Sequence, residues 1–312
     1  MSRPVFTVLM PVVRAPVLLP FAINSVLAQT RRDFELFIIC DGAPPETTAA
    51  AVGAAKIDPR VRAFSFPKGE GHGEAYRHAA LEYAAGTLIC QIADDDLWFP
   101  DHLEQMALLL SEVEFGNLLH TYIGSDGRPN VIFANLAQPF VRDRMMSEPF
   151  NVFGPTVSGY RLSTYRRLPV GWSAAPPGVW SDLGMWRKFL ALPGVAVGTR
   201  FSITSLHFPN SSRRGWSIEK RREEVAGYAE RMSSPQARDQ LQQLAFCAAA
   251  DERATLDASL AAALREKADL AAGLCSARRQ QKHASGRAAA IEMSTSWRIT
   301  APLRWLARVL RS

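Results

Sequence analysis

The 312-residue chain has only four cysteines, Cys40, Cys90, Cys247 and Cys275, all far apart. That scarcity argues against a disulfide framework, and the lack of any CxxC pair argues against a structural zinc site. A reducing compartment is expected. No apolar run approaches the about 20 residues that span a bilayer. The opening, MSRPVFTVLMPVVRAPVLLPFAINSVLAQ, is interrupted by Pro11, Arg14, Pro16 and Pro20 and lacks a small-residue cleavage site. It reads as folded protein rather than a leader, so a cytosolic location is expected. Excess positive charge is missing from most of the chain. Residues 1–230 hold 23 Lys+Arg and 23 Asp+Glu, whereas 231–312 hold 13 and 7, so the net +6 belongs to the C-terminal part. A neutral main body argues against nucleic acid as a partner.

What is present has a regular rhythm. Hydrophobic residues make up 47% of the chain, enough for a sizeable core. Short apolar runs alternate with helical spacing. They are VFTVLM (5–10), FELFIIC (34–40), VRAFSF (61–66) and TLICQIA (87–93), with helices expected over 16–29, near 45–55, before Gly86 and from Pro100. Strands separated by helices at this spacing predict an α/β fold with a mostly parallel, doubly wound sheet. Ligands bind such sheets beyond the carboxyl ends of the strands. Asp41 follows the second strand and Asp94, Asp95 and Asp96 follow the fourth, so one crevice should hold both groups.

Beyond residue 118 the pattern loosens into short strands, a loop-rich stretch, a helix near 181–191 and a strand near 195–206. Residues 217–231 read as a charged helix. Residues 235–293, rich in Ala, Leu, Arg and Gln, read as one extended helix with loose heptads. Three parts are expected: an α/β domain over 1–215, a helical, coiled-coil-like extension over 216–293, and a basic tail over 294–312.

The stretch LICQIADDDLWFPDHLE (88–104) poses the sharpest chemical question. Three adjacent carboxylates repel one another, and a positive partner relieves that cost. A solvated turn before Pro100 and a bound divalent cation are both consistent with the residues alone. Asp41 has a similar ambiguity, because Asp-Gly turns are common. The glycine-rich KGEGHGEAYRHAA lets backbone approach a ligand closely, but it contains no Gly-Lys-Ser/Thr phosphate loop.

Taken in order, four segments resemble family 2 glycosyltransferases over about residues 5–210. They are VFTVLMPVVRAPVLLPFAINSVLAQTRRDFELFIICDG, PKGEGHGEAYRHAALEYAAGTLICQIADDDLWFPDHLE, WSDLGMWRKFL and LHFPNSSRRGWS. The resemblance implies a GT-A fold, a Rossmann-like, mostly parallel sheet flanked by helices, here with a C-terminal helical extension. It also implies inverting transfer of a sugar from a nucleotide-diphosphate donor to an acceptor hydroxyl. A diphosphate leaving group calls for a hard cation, Mg²⁺ or Mn²⁺, on oxygen ligands.

By the resemblance Asp96 holds that metal, and His207 completes its shell or touches the diphosphate. Asp94 and Asp95 contact ribose, donor sugar or a metal-bound water. Asp41 accepts the N3–H of uracil or thymine, which points to a UDP- or dTDP-type donor. Pro11 opens the donor loop, where Arg14 stands in for the family's missing Tyr and Asn as a phosphate or base contact. Arg77 matches the helix arginine near the nucleotide. Asp182 is the candidate base that takes the acceptor proton; Ser181 stands where relatives usually carry Glu, and Ala93 where many carry an acid. Arg213 and Arg214 suit phosphate. Trp98, Trp172 and Trp180 offer faces to sugar rings, although core packing is the commoner fate of Trp.

The tail STSWRITAPLRWLARVLRS (294–312) has no acid and four arginines, Arg298, Arg304, Arg308 and Arg311. Ile299, Leu303, Leu306 and Leu310 recur on one helical face. This composition suits a helix lying on anionic lipid, or one docked on protein. The expectation is a protein on the inner face of a bacterial cell membrane, acting on a glycan or lipid-linked acceptor. Two rival readings are a sugar nucleotidyltransferase, which would want a glycine-rich loop where PVVRAP stands, and a non-catalytic donor-binding scaffold with a membrane-binding helical tail.

Overall fold

The computed structural model describes residues 3–310. It divides into two units, Met1–Ala250 and Asp251–Ser312.

The first unit opens with β1 (Phe6–Val12), α1 (Leu19–Leu27), β2 (Phe34–Asp41), α2 (Pro45–Ile57), β3 (Val61–Phe66), α3 (Glu74–Leu81) and β4 (Leu88–Gln91). These match the apolar runs read from the sequence. Nearly every residue of β1, β2 and β4 is buried, as expected for parallel strands covered on both faces. Then follow β5 (Leu97–Trp98), α4 (His102–Glu112), β6 (Phe115–Leu118), β7 (His120–Ile123), β8 (Pro129–Ile132) and α5 (Pro139–Ser147). After them come β9 (Ser158–Arg161), α6 (Leu162–Tyr165), α7 (Ser181–Leu190), β10 (Val197–Arg200), β11 (Ser205–Leu206) and α8 (Ile218–Ser233).

A seven-stranded sheet runs β10-β6-β9-β4-β1-β2-β3. All its pairings are parallel except those of β9, which lies antiparallel between β4 and β6. The expected mostly parallel α/β sheet is therefore present. The stretch that read as loop-rich supplies the one reversed strand. Pro11 sits near the end of β1, past the last rung with β4 at Leu9 and Gln91.

Two small antiparallel ladders matter more for the site than their size suggests. β11 pairs with β5 in the register Ser205↔Trp98 and Leu206↔Leu97. One further step along both chains sets His207 across from Asp96. β7 and β8 form a hairpin beside it, and the His207 N–H donates to the Thr121 carbonyl at 2.9 Å. Leu18, Leu97, Phe99, Leu119, Phe208, Val225 and neighbours form a second apolar cluster under this region, separate from the main core.

The helix α9 (Pro235–Met293) buries Leu241, Ala245 and Ala249 within the first unit. In the second unit nearly every described residue of α9, α10 (Thr295–Ile299) and α11 (Ala301–Val309) is exposed. Pro302 lies in the first turn of α11, where its missing N–H costs no helical bond. Ile299, Leu303, Leu306 and Leu310 are all exposed. Arg304 folds back over Trp297, 3.7 Å from the ring centroid. Arg311 lies outside the described residues. No described helix is long and apolar enough to cross a membrane.

Candidate active site

Each of the three aspartates is almost fully buried, and each has a different partner. Arg14, just past β1, reaches Asp94 at 3.1 Å through Nε and Asp95 at 2.6 Å through Nη1. Arg221, on α8, reaches Asp95 at 2.9 Å. Asp96 receives the Thr156 hydroxyl, the Phe208 N–H at 3.3 Å and His207 Nδ1 at 2.8 Å. Two guanidinium groups thus offset two of the three carboxylate charges, and the third faces an imidazole.

The electrostatics follow this division. Burial pushes Asp94 up to about 7 in spite of Arg14, with Asp95 and Asp96 adding repulsion. Burial also opposes charge on Asp96, but His207 and the surrounding donors outweigh it and hold that carboxyl below the usual range. For His207, burial opposes the imidazolium and Asp96 more than compensates, so its pKa is raised. His120 is its neighbour, with ring centroids 5.3 Å apart. Burial lowers His120 to about 4, and its Nδ1 accepts the Gly154 N–H at 3.0 Å.

A cavity of about 340 Å³ opens on this cluster. Asp96, His120, His207, Asn151, Trp180 and Asp182 are on its wall. Asp182 stands in the first turn of α7, where Trp180 is the N-cap residue and makes no side-chain cap bond. The Asp182 carboxylate accepts from the Leu183 N–H and from the Asn151 amide, both at 2.8 Å. Burial raises its pKa more than these donors and the Arg77 charge lower it. A carboxylate with a raised pKa beside a cavity has the properties of a proton acceptor.

Asp41 and Arg77 belong to a second cluster, at the glycine-rich loop. Asp41 is buried and accepts from Lys68 Nζ and the Gly69 N–H, both at 2.6 Å. Gly73 has φ of +69°, and a Cβ there would stand 2.7 Å from Asp41 Oδ2. Only glycine tolerates both the left-handed backbone and that approach. Arg77 donates to the His72 carbonyl at 2.8 Å and lies 4.4 Å over the Trp172 ring. Among the described residues its buried Nε has no hydrogen-bond partner. Burial lowers its pKa, and it feels Glu74, Asp182 and Asp41, which ties the two clusters together electrostatically.

Three readings from sequence meet the structure differently. Trp98 and Trp172 are core residues, while Trp180 is 55% exposed at the cavity. Arg213 is buried, and it donates to both Glu224 oxygens at 2.6 and 2.7 Å and to two carbonyls, so it has no free fork for phosphate. Arg221, His120, Thr156, Asn151 and Lys68 were not anticipated. Arg221, His120, Thr156 and Asn151 come from distant elements with no local spacing signal, whereas Lys68 opens the glycine-rich motif itself.

For the implied Mg²⁺ or Mn²⁺ the site offers Asp96 and His207, whose Nδ1 is hydrogen-bonded to Asp96 and would have to give up its proton to bind a cation. Asp96 keeps the carboxylate charge that neither arginine offsets, and His207 holds a nitrogen beside it. No group of three or more His, Cys, Asp or Glu among the described residues is arranged to hold a metal. A hard cation at Asp96 and His207 would take its other ligands from phosphate oxygens and water, as such cations commonly do.

The fold has solved counterparts. Residues 1–349 of S. aureus TarS superpose with a TM-score of 0.52 at 14% identity, covering 73% of this chain and 68% of that one. The same protein has been crystallised with UDP-GlcNAc, with a TM-score of 0.51 at 14% identity over 77% of this chain and 70% of that one. Likeness at this identity concerns the fold. The family model described as glycosyl transferase family 2 matches residues 7–167, just over half of the chain. The chain belongs to that family.

Among relatives, a putative teichuronic acid biosynthesis glycosyltransferase of Bacillus subtilis, TuaG, is 24% identical over 213 residues, 67% of this chain and 81% of that one. The Escherichia coli WfgD, a UDP-Glc:α-D-GlcNAc-diphosphoundecaprenol β-1,3-glucosyltransferase, is 31% identical over 105 residues, 33% of this chain and 40% of its own. An uncharacterized glycosyltransferase of Rickettsia felis is 35% identical over 94 residues, 30% of this chain and 15% of its own. The chain thus spans less than half the length of these last two.

Proposed function

We propose that the chain is an inverting glycosyltransferase of bacterial surface polysaccharide assembly, moving a hexose from a UDP- or dTDP-type donor to a glycan or lipid-linked acceptor. The observation that carries this reading is the single cavity onto which Asp96, His207 and Asp182 all open. Asp182 takes the proton of the acceptor hydroxyl as it attacks the anomeric carbon. Its raised pKa, caused by burial, supports that role. Trp180, exposed next to it, offers a stacking face to the acceptor ring. Asp41 accepts the base N3–H through lone pairs left over from Lys68 and Gly69, and Pro11, Arg14, Arg77, Asp94 and Asp95 bind the rest of the donor. Asp96 and His207 would hold Mg²⁺ or Mn²⁺, which supplies positive charge to the departing diphosphate when bound.

The names of the relatives support the setting: WfgD acts on a diphosphoundecaprenol acceptor and TuaG is assigned to teichuronic acid. The tail fits this location. Exposed Ile299, Leu303, Trp305, Leu306 and Leu310 beside Arg298 and Arg308 suit the inner face of an anionic membrane. The three-part division at residues 215 and 293 belongs to the same proposal.

The test screens nucleotide-sugars by thermal shift with and without Mn²⁺, then assays turnover of the stabilising donor. Asp182→Asn should lower kcat by about 10²–10⁴ with the fold intact, and Asp96→Ala should abolish the metal response. No metal-dependent turnover with any nucleotide-sugar would leave a donor-binding scaffold instead. Deleting residues 294–312 should abolish flotation with anionic liposomes; unchanged flotation would refute the membrane role.

A further inference from the structure

The exposed length of α9, residues 251–293, carries a seam that the enzymatic reading does not use. Positions 256, 260, 263, 267, 270, 274, 277, 281, 284, 288 and 291 alternate steps of four and three without a break. Nine of these eleven are apolar; Lys267 and Gln281 are the exceptions. A 3.5-residue period over five heptads, even with these two interruptions, is that of a left-handed coiled coil. Leu256, Leu260, Leu270 and Leu274 are each 55% exposed or more. The seam is therefore uncovered in the single chain.

The distribution of sizes along the seam selects its partner. Leucines dominate the first part, at 256, 260, 270 and 274 with Ala263 among them, and alanines the second, at 277, 284 and 288 before Ile291 ends it. Parallel pairing of two copies would set leucine on leucine at one end and alanine on alanine at the other. It would also face Lys267 with Lys267 in the core, two like charges in contact. Antiparallel pairing resolves both problems. Leu256 then meets Ala288, Leu260 meets Ala284, and Leu270 meets Leu274 at the twofold centre. Lys267 meets Ala277, whose small side chain leaves the lysine stem a path to water.

Charge agrees with this orientation. Residues 251–269 hold five carboxylates and three cations, whereas 270–293 hold four cations and one carboxylate. Antiparallel copies lay each acidic half along a basic half, and parallel copies do the reverse. We propose that two copies of this chain associate through residues 251–293 as an antiparallel coiled coil centred on Leu270 and Leu274.

The test uses the full chain with Cys247→Ser and Cys275→Ser, which removes the exposed thiols; Cys40 and Cys90 are buried. Light scattering across a concentration series should give twice the chain mass, and Leu270→Glu should halve it with helicity retained after dilution below the wild-type transition. Oxidising a mixture of Leu256→Cys and Ala288→Cys chains should give the mixed disulfide, while Leu256→Cys alone should give none. A chain that stays monomeric at every concentration, as it would if the seam met only lipid or a foreign helix, overturns the proposal. So does a Leu256→Cys homodisulfide, or a dimer in which the mixed disulfide fails to form.

Discussion

Arg221 meets Asp95 at 2.9 Å, and Arg253 meets Asp257 at 3.0 Å. The distances differ by only 0.1 Å, but the surroundings are unlike. The first pair is 12% and 3% exposed and belongs to the α/β unit; the second is 74% and 57% exposed and belongs to the helical extension. Around Asp94 and Asp95, charges are dried and locked into a network, so each one fixes the next. In the extension they stand in water, where they are screened and act on what approaches the chain rather than on its fold. An equal count of ion pairs would hide this difference.

The comparison can be broken most forcefully at Arg221. Arg221→Met leaves Asp95 with Arg14 alone, and an under-compensated buried carboxylate should cost about 3 kcal/mol, measured by urea unfolding. A loss near zero would mean that water already screens this network. The next effect is a pH dependence. The folded pKa of Asp94 is raised to about 7 from an ordinary 3.8. The folded state therefore prefers the protonated form, and this contribution to stability is full below the unfolded pKa and fades as pH rises toward 7. Asp94→Asn should flatten the pH dependence of Tm between about pH 4 and 7 and stabilise the protein at the upper end. An unchanged Tm profile would show that Arg14 holds Asp94 ionised throughout. The smallest effect belongs to Arg253→Ala, which should change stability by less than about 0.5 kcal/mol. A larger loss by the same urea measurement would mean that Arg253 is not solvated as an exposed residue should be.

The strands were legible wherever apolar residues run together. β1 to β4 and the helices between them follow from short buried runs and helical spacing, because these contacts are set by periodicity within a few residues. β9 was not legible. Its run, SGYR, is too short and polar to signal a strand, and its place between β4 and β6 depends on partners 41 to 73 residues away. The site divides in the same way. Asp41, Asp94, Asp95, Asp96, Asp182 and His207 were named from motifs, and the structure gathers them at two linked clusters. Arg213 also looked like a phosphate ligand in sequence, and Glu224 has claimed it. Arg221 looked like any charge on a solvated helix. What decides between those two arginines is which carboxylate each helix face meets, and no local pattern records that.

The span between Asp95 and Arg221 is 126 residues, and between Asp96 and His207 it is 111. During synthesis at about 5–20 residues per second, Arg221 leaves the ribosome roughly 6 to 25 seconds after the aspartate it neutralises. For that interval β4 can already be paired with β1 while three carboxylates beyond its end still need water. The candidate site is thus among the last parts of its own unit to dry, and its completion is timed by a helix outside the cluster of aspartates.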